Sequence, residues 1–218
     1  VIGSNAMSTS TGGASNCIAI GANAGLVNQA DDNMFIGKDA GLANTSGTNN
    51  IYIGVDSGKV AVSANQNVVI GHNSGSALTG NDNILLGYKA GEDITAGANN
   101  VVIGSNAMKD GNASSCIVIG ANAGLVNTGS ENMFIGKDAG YSNTSGIDNI
   151  FMGKSAGYKH QIHNNNIFIG ENAGYGNPPY DYTTENGGDL GDLNIAIGKS
   201  AGYNITSGYL NILIGNEA

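Results

Sequence analysis

The chain has 218 residues, a net charge of −9, 36 glycines, two prolines, no tryptophan and only 11% charged residues. All eight basic residues are lysines, with no basic stripe to neutralise phosphates, which argues against a nucleic-acid partner; no apolar run of about 18 residues is present to span a membrane as a helix. Hydrophobic residues still make up 40% of the chain and recur at strict intervals, which reads as order and not as a low-complexity coil.

From the N-terminus onward, a strand-like triplet closed by glycine recurs at Gly3, Gly21, Gly37, Gly54, Gly71, Gly87, Gly104, Gly120, Gly136, Gly153, Gly170, Gly198 and Gly215. Most spacings are 16 or 17 residues, and the 28 between Gly170 and Gly198 stands out. It predicts a loop insertion over 175–193. Each copy reads Asn, apolar, apolar, Ile, Gly, two variable residues, Ala or Ser, Gly, then a mostly polar stretch, as in Asn50-Ile51-Tyr52-Ile53-Gly54 with Ser57-Gly58. Branched and aromatic residues favour strands, and Gly with Asn or Asp marks turns. The period is too short for a helical repeat of about 33 residues or more. It fits one turn of an all-β solenoid, a β-roll or β-helix, with a firm strand, a corner at Ala-Gly and a weaker return segment. Stacked about 4.8 Å apart, the copies predict a rod of roughly 58 Å. The whole chain, 1–218, is then a single array of about 12–13 coils. Val1-Ile2-Gly3 reads as the tail of one repeat and Gly215-Asn216-Glu217-Ala218 as the start of another, so the array is expected to belong to a longer chain. A second period lies over the first: Cys17–Gly47 reappears as Cys116–Gly146, 99 residues or six coils on. Duplication of a six-coil block suits a part whose purpose is length.

Within each triplet the two flanking residues point one way and the middle residue the other. Assigning the flanking pairs, such as Ile18/Ile20 and Ile51/Ile53, to the coil interior leaves the middle residues outside. On that assignment Phe35, Tyr52, Val69, Leu85, Val102, Val118, Phe134, Phe151, Phe168 and Leu213 form an exposed apolar wall. Soluble proteins rarely leave such a wall uncovered, and two inward aliphatics per coil make a thin core. The expectation is therefore a homo-oligomer, a threefold bundle with the middle residues on its axis.

An asparagine precedes the strand in ten copies: Asn33, Asn50, Asn67, Asn83, Asn100, Asn132, Asn149, Asn166, Asn194 and Asn211. Stacking predicts a structural ladder of these amides, since buried amides need partners. Cys17 and Cys116 take that position in two other copies, about 29 Å apart at the usual coil spacing, beyond disulfide reach. His160 and His163 lack the further Cys or His ligands of a metal site and read as a solvated turn. Asp31-Asp32 lacks the glycine-aspartate nonapeptide of calcium β-rolls. No cofactor or metal is expected. Tyr141, Tyr158, Tyr175 and Tyr203 each follow an Ala-Gly corner and predict an aromatic column. With the adjoining insertion, they make Tyr175, Tyr180, Asp181, Tyr182 and Tyr203 the candidate binding residues for a cell-surface glycan or receptor. No catalytic constellation or phosphate-cradling loop is visible, so no enzyme activity is expected.

The Asn-x-apolar-Ile-Gly-x-x-Ala-Gly units resemble the head repeats of trimeric autotransporter adhesins, which are shorter, near fourteen residues. They are more similar to repeats of bacteriophage tail fibres and bacterial tail-fiber-domain surface proteins, through Asn143-Thr144-Ser145-Gly146, Asn149-Ile150-Phe151-Met152-Gly153 and Ala156-Gly157-Tyr158. The likeness covers nearly all of the chain outside the insertion. It implies a trimeric extracellular, virion or cell-surface fibre that holds a receptor-binding region at a distance. Alternatives are an ice- or carbohydrate-binding solenoid, with Thr45, Thr144 and Thr206 sharing a coil position that intervening coils do not keep, or a polysaccharide-degrading tailspike.

Overall fold

The computed structural model describes residues 1–9, 13–176, 191–203 and 208–218. It is a parallel β-solenoid. Among the described residues, twelve three-residue strands follow in order: β1 (Ile18–Ile20), β2 (Met34–Ile36), β3 (Ile51–Ile53), β4 (Val68–Ile70), β5 (Ile84–Leu86), β6 (Val101–Ile103), β7 (Ile117–Ile119), β8 (Met133–Ile135), β9 (Ile150–Met152), β10 (Ile167–Ile169), β11 (Ile195–Ile197) and β12 (Ile212–Ile214). All twelve form one parallel sheet in sequence order. Register never slips: Phe134 lies on Phe151, Phe151 on Phe168, and Phe168 on Ala196 across the insertion.

The corner after each strand is a chain of overlapping turns. In the first complete coil, Ala24 N–H donates to the Gly21 carbonyl (3.3 Å), Leu26 to Asn23 (3.2 Å) and Asn28 to Gly25 (2.9 Å). Such a run needs left-handed backbone, which Asn and Asp tolerate best among residues with a side chain and glycine adopts freely. Accordingly Asn23, Asp39, Asp56 and Asn73 hold φ of 56–58° at this corner, while Asn16, Asp32, Asn49 and Asp82 hold 57–59° at the corner before the strand. The corner glycine is also sterically required. At Gly140 (φ 60°) an added Cβ would lie 2.8 Å from three ring carbons of Phe134.

The interior reverses the inside–outside assignment made from the triplets. Phe35, Tyr52, Val69, Leu85, Val102, Val118, Phe134, Phe151 and Phe168 are all 0% exposed within a single chain, and Leu213 is partly buried in the terminal strand. They fill the coil and cannot meet a neighbouring subunit. The cause is strand parity. The ladder asparagine stands two residues before the middle residue, so both side chains must point to the same face. The hydrogen-bonded amides are inside, and the middle residue goes in with them. Opposite lies a wall of Ala or Ser and a second inward position occupied by Asn28, Asn44, Ala61, Leu78, Ile94, Asn127, Asn143 and His160. In the second block, Phe134, Phe151 and Phe168 stack with centroids 5.1 and 4.9 Å apart and planes 17° and 6° apart, an offset arrangement that favours aromatic pairs.

The two blocks solve one packing problem differently. Tyr52 faces Ala61, whereas its counterpart 99 residues on, Phe151, faces His160. Burial pushes the Tyr52 phenol above its ordinary pKa, opposed by the Asn67 amide, and no hydrogen bond of good geometry reaches the hydroxyl. A buried hydroxyl without a partner costs about 1–3 kcal/mol, part of which is recovered when it is removed. Tyr52→Phe should therefore raise stability by about 1 kcal/mol, read as a higher urea midpoint with unchanged m-value. A fall in the midpoint would mean that the hydroxyl is satisfied.

Candidate functional site

The structure offers three features to weigh: the asparagine ladder, the tyrosine column and the outer face of the sheet. The ladder is continuous through two runs. Asn33 Oδ1 accepts from Asn50 N (3.0 Å) and Asn50 Nδ2 (3.2 Å), and Asn50 does the same for Asn67. The pattern continues through Asn83 to Asn100, and again from Asn132 through Asn149, Asn166 and Asn194 to Asn211. Most of these amides also donate to a backbone carbonyl 13 or 14 residues on, as Asn83 Nδ2 does to Gly97 O at 3.0 Å. These amides are consumed by the fold and are not presented to a ligand.

Cys17 and Cys116 are free thiols that interrupt the ladder. An asparagine from the return segment bridges each break. Asn127 donates to Cys116 Sγ (3.5 Å), and its Oδ1 accepts from Asn132 (3.2 Å) and Asn143 (2.6 Å). Asn28 repeats this arrangement beside Cys17. Burial pushes the Cys116 thiol above its ordinary pKa, the opposite of what a reactive cysteine needs.

The return turn containing the two histidines is not solvated as expected. His160 is 1% exposed and packs edge-on against Phe151 and Phe168 at 5.3 and 5.4 Å. His163 lies 3.6 Å from Asp192 at the far foot of the insertion. Among the described residues, no group of three or more His, Cys, Asp or Glu could hold a metal ion.

Tyr141, Tyr158, Tyr175 and Tyr203 stack with centroid separations of 4.9, 5.1 and 4.9 Å and planes 15°, 5° and 11° apart. Lys159 Nζ sits 5.0 Å from the centre of the Tyr175 ring. Burial, then the neighbouring phenol, raises the pKa of Tyr158 and Tyr175. Face-stacking on a sugar requires rings laid flat to solvent. Here the rings lie face to face with one another, so Tyr158 and Tyr175 offer only edges and hydroxyls. Tyr180, Asp181 and Tyr182 lie outside the described residues.

The threonine column is fuller than the sequence reading allowed. Thr45, Thr79, Thr95, Thr128 and Thr144 each stand ten residues beyond a strand centre. The hydroxyls of Thr45, Thr79, Thr128 and Thr144 donate to a carbonyl of the next coil at 2.8–3.3 Å. They stitch coils together and are not a free hydroxyl rank.

No family model, curated protein or solved structure matches the chain.

The third feature is the one the sequence reading misassigned. With the middle residues inside, both flanking residues of every strand face outward, and in all twelve strands they are Ile, Val, Leu or Met. Most are partly exposed, and exposure rises to 40% at Ile84, 43% at Ile18 and 69% at Ile212 and Ile214 of the terminal strand. Eleven coil steps of about 4.8 Å make this stripe about 53 Å long, and with a width of about 10 Å it covers on the order of 500 Å². That is at the upper end for the largest patch on a monomer. Among the described residues, no helix is long and apolar enough to cross a membrane.

Proposed function

We propose that this chain is a structural segment of a homo-oligomeric fibre, most simply a threefold bundle, in which copies bury the outer sheet face against one another. One observation carries the reading: an unbroken aliphatic face that the described residues leave partly exposed along its whole length. Burying it would contribute on the order of 10 kcal/mol of apolar transfer per copy, at about 25 cal/mol per Å². Part of that is spent on lost translational and rotational freedom. The asparagine ladder, the threonine stitches and the stacked interior supply stiffness along the axis, which suits a rod. Such a rod, on a virion or a cell surface, would hold a recognition region away from its base. The insertion bounded by Tyr175 and Asp192 is the place in this segment for a glycan or receptor contact.

Analytical ultracentrifugation tests the reading directly. The wild-type chain should sediment as a multiple of 21.9 kDa. Ile117→Glu with Ile119→Glu places charge on the stripe without touching the interior and should give a monomer with an unchanged circular dichroism spectrum. A wild-type chain that is monomeric and fully folded across the micromolar range would overturn the assignment.

A further inference from the structure

Tyr141, Tyr158, Tyr175 and Tyr203 each stand seven residues beyond the middle of a strand, on β8, β9, β10 and β11 in turn. Because those strands are parallel and in register, the four phenols occupy successive steps of one column, with ring centres 4.9–5.1 Å apart. Tyr141, Tyr158 and Tyr175 are partly exposed, and Tyr203 is 37% exposed. Phenols held in contact differ chemically from isolated ones. A phenol that loses an electron and its hydroxyl proton becomes a phenoxyl radical, with spin on the ring carbons ortho to the oxygen. One such radical alone has no partner, whereas two on neighbouring rings combine. Tyr88 and Tyr209 provide the contrast. They are 49% and 71% exposed, but among the described residues neither ring lies against a second phenol.

We infer that the tyrosine column is an oxidative cross-linking site, at which a peroxide-driven one-electron oxidant joins neighbouring coils of one chain through dityrosine bonds. Each of two adjacent phenols gives up its hydroxyl hydrogen as one electron and one proton, and one ortho carbon of each ring enters a new carbon–carbon bond. The hydrogen on each of those carbons then leaves as a proton while the oxygen regains one, which restores both phenols. The pair has lost two hydrogens in all. One hydrogen peroxide takes up the two electrons and two protons and becomes two waters. The column suits the step, because turning each ring about its Cβ–Cγ bond brings ortho carbons edge to edge and moves neither coil. Such side-chain rotation is fast at a partly exposed edge. The Tyr175–Tyr203 pair carries the main consequence, since it spans the insertion and still stacks at 4.9 Å. A bond there closes the insertion into a covalent loop, and a bridge across a long loop removes much chain freedom. Oxidation would thus lock the feet of the insertion to the rod, whether or not copies associate.

The lysines place each tyrosine of the column on a different tryptic peptide: 138–154, 155–159, 160–199 and 200–218. Treating the full chain with a haem peroxidase and hydrogen peroxide should therefore give linked pairs of consecutive peptides, each lighter than its parts by two hydrogens. Fragment masses locate the bond and separate Tyr203 from Tyr209 on their shared peptide. If unlabelled and heavy-isotope-labelled chains are mixed before oxidation, the two halves of each column pair should carry the same label, because both phenols belong to one chain. Tyr158→Phe with Tyr203→Phe keeps every ring of the stack, so the circular dichroism spectrum should not change, but it leaves Tyr141 and Tyr175 two coils apart. Same-label pairs joined at column positions should then fall at least tenfold, while Tyr88 and Tyr209 go on forming bonds between chains. Three results would each overturn the inference. Column pairs could carry mixed labels; the wild-type chain could form no column pair under conditions in which Tyr209 reacts; or the double variant could link Tyr141 to Tyr175, which would show that contact between rings does not select the partners.

Discussion

Asn149→Ala should destabilise the solenoid by about 3–5 kcal/mol, a large share of the total for a domain. Asn149 Oδ1 accepts from the backbone and side-chain amides of Asn166 at 3.0 and 3.2 Å, and its Nδ2 donates to Asn132 Oδ1 (3.2 Å) and His163 O (2.8 Å). Truncation removes all four bonds where Asn132, Asn149 and Asn166 are 0–2% exposed, so the abandoned groups cannot turn to water. The cost is set by leaving groups unpaired rather than by the modest net worth of each bond. Urea unfolding would measure it, and a midpoint within error of wild type would mean that the amide column carries no stability.

Phe151→Ala should cost about 3–5 kcal/mol, the range for losing a buried aromatic plus the cavity it leaves. Its ring lies between Phe134 and Phe168, with His160 against its edge. Neither wall can collapse, because both belong to coils held in register by their own ladders. The neighbouring Ile150→Ala, on the outer face, should cost the isolated chain about 1 kcal/mol or less while loosening association. The two substitutions separate interior from exterior on adjacent residues. Similar losses of monomer stability from both would contradict the parity of the strand.

The coil, its length and its insertion were legible because the glycine-closed triplet recurs at nearly fixed spacing. Sidedness was legible too, but only by combining two clues. A buried asparagine at Asn50 and an outward Tyr52 cannot coexist on one extended strand, since residues two apart share a face. The choice of the flanking isoleucines as core followed hydrophobicity alone and ignored that constraint. The tyrosine column could be placed from the Ala-Gly-Tyr register, yet its ring orientation comes from the stacking: rings held about 4.8 Å apart have room only to lie on one another. The roles of Asn28 and Asn127 had no local signal. Their partners, Cys17 and Cys116, lie eleven residues away in sequence and meet them only across the coil interior.

Each strand in the sheet meets only the strands before and after it, and the energetic account of the molecule is correspondingly one-dimensional. Stability is close to a sum of per-coil and neighbour terms, so whole coils can be added or deleted without redesigning any distant contact. The same arithmetic holds on the outside, where every added coil lengthens the aliphatic stripe by one more outward pair. Reach and cohesion therefore scale together. The six-coil duplication written into this chain is the kind of change that such a scaffold can absorb in a single genetic event.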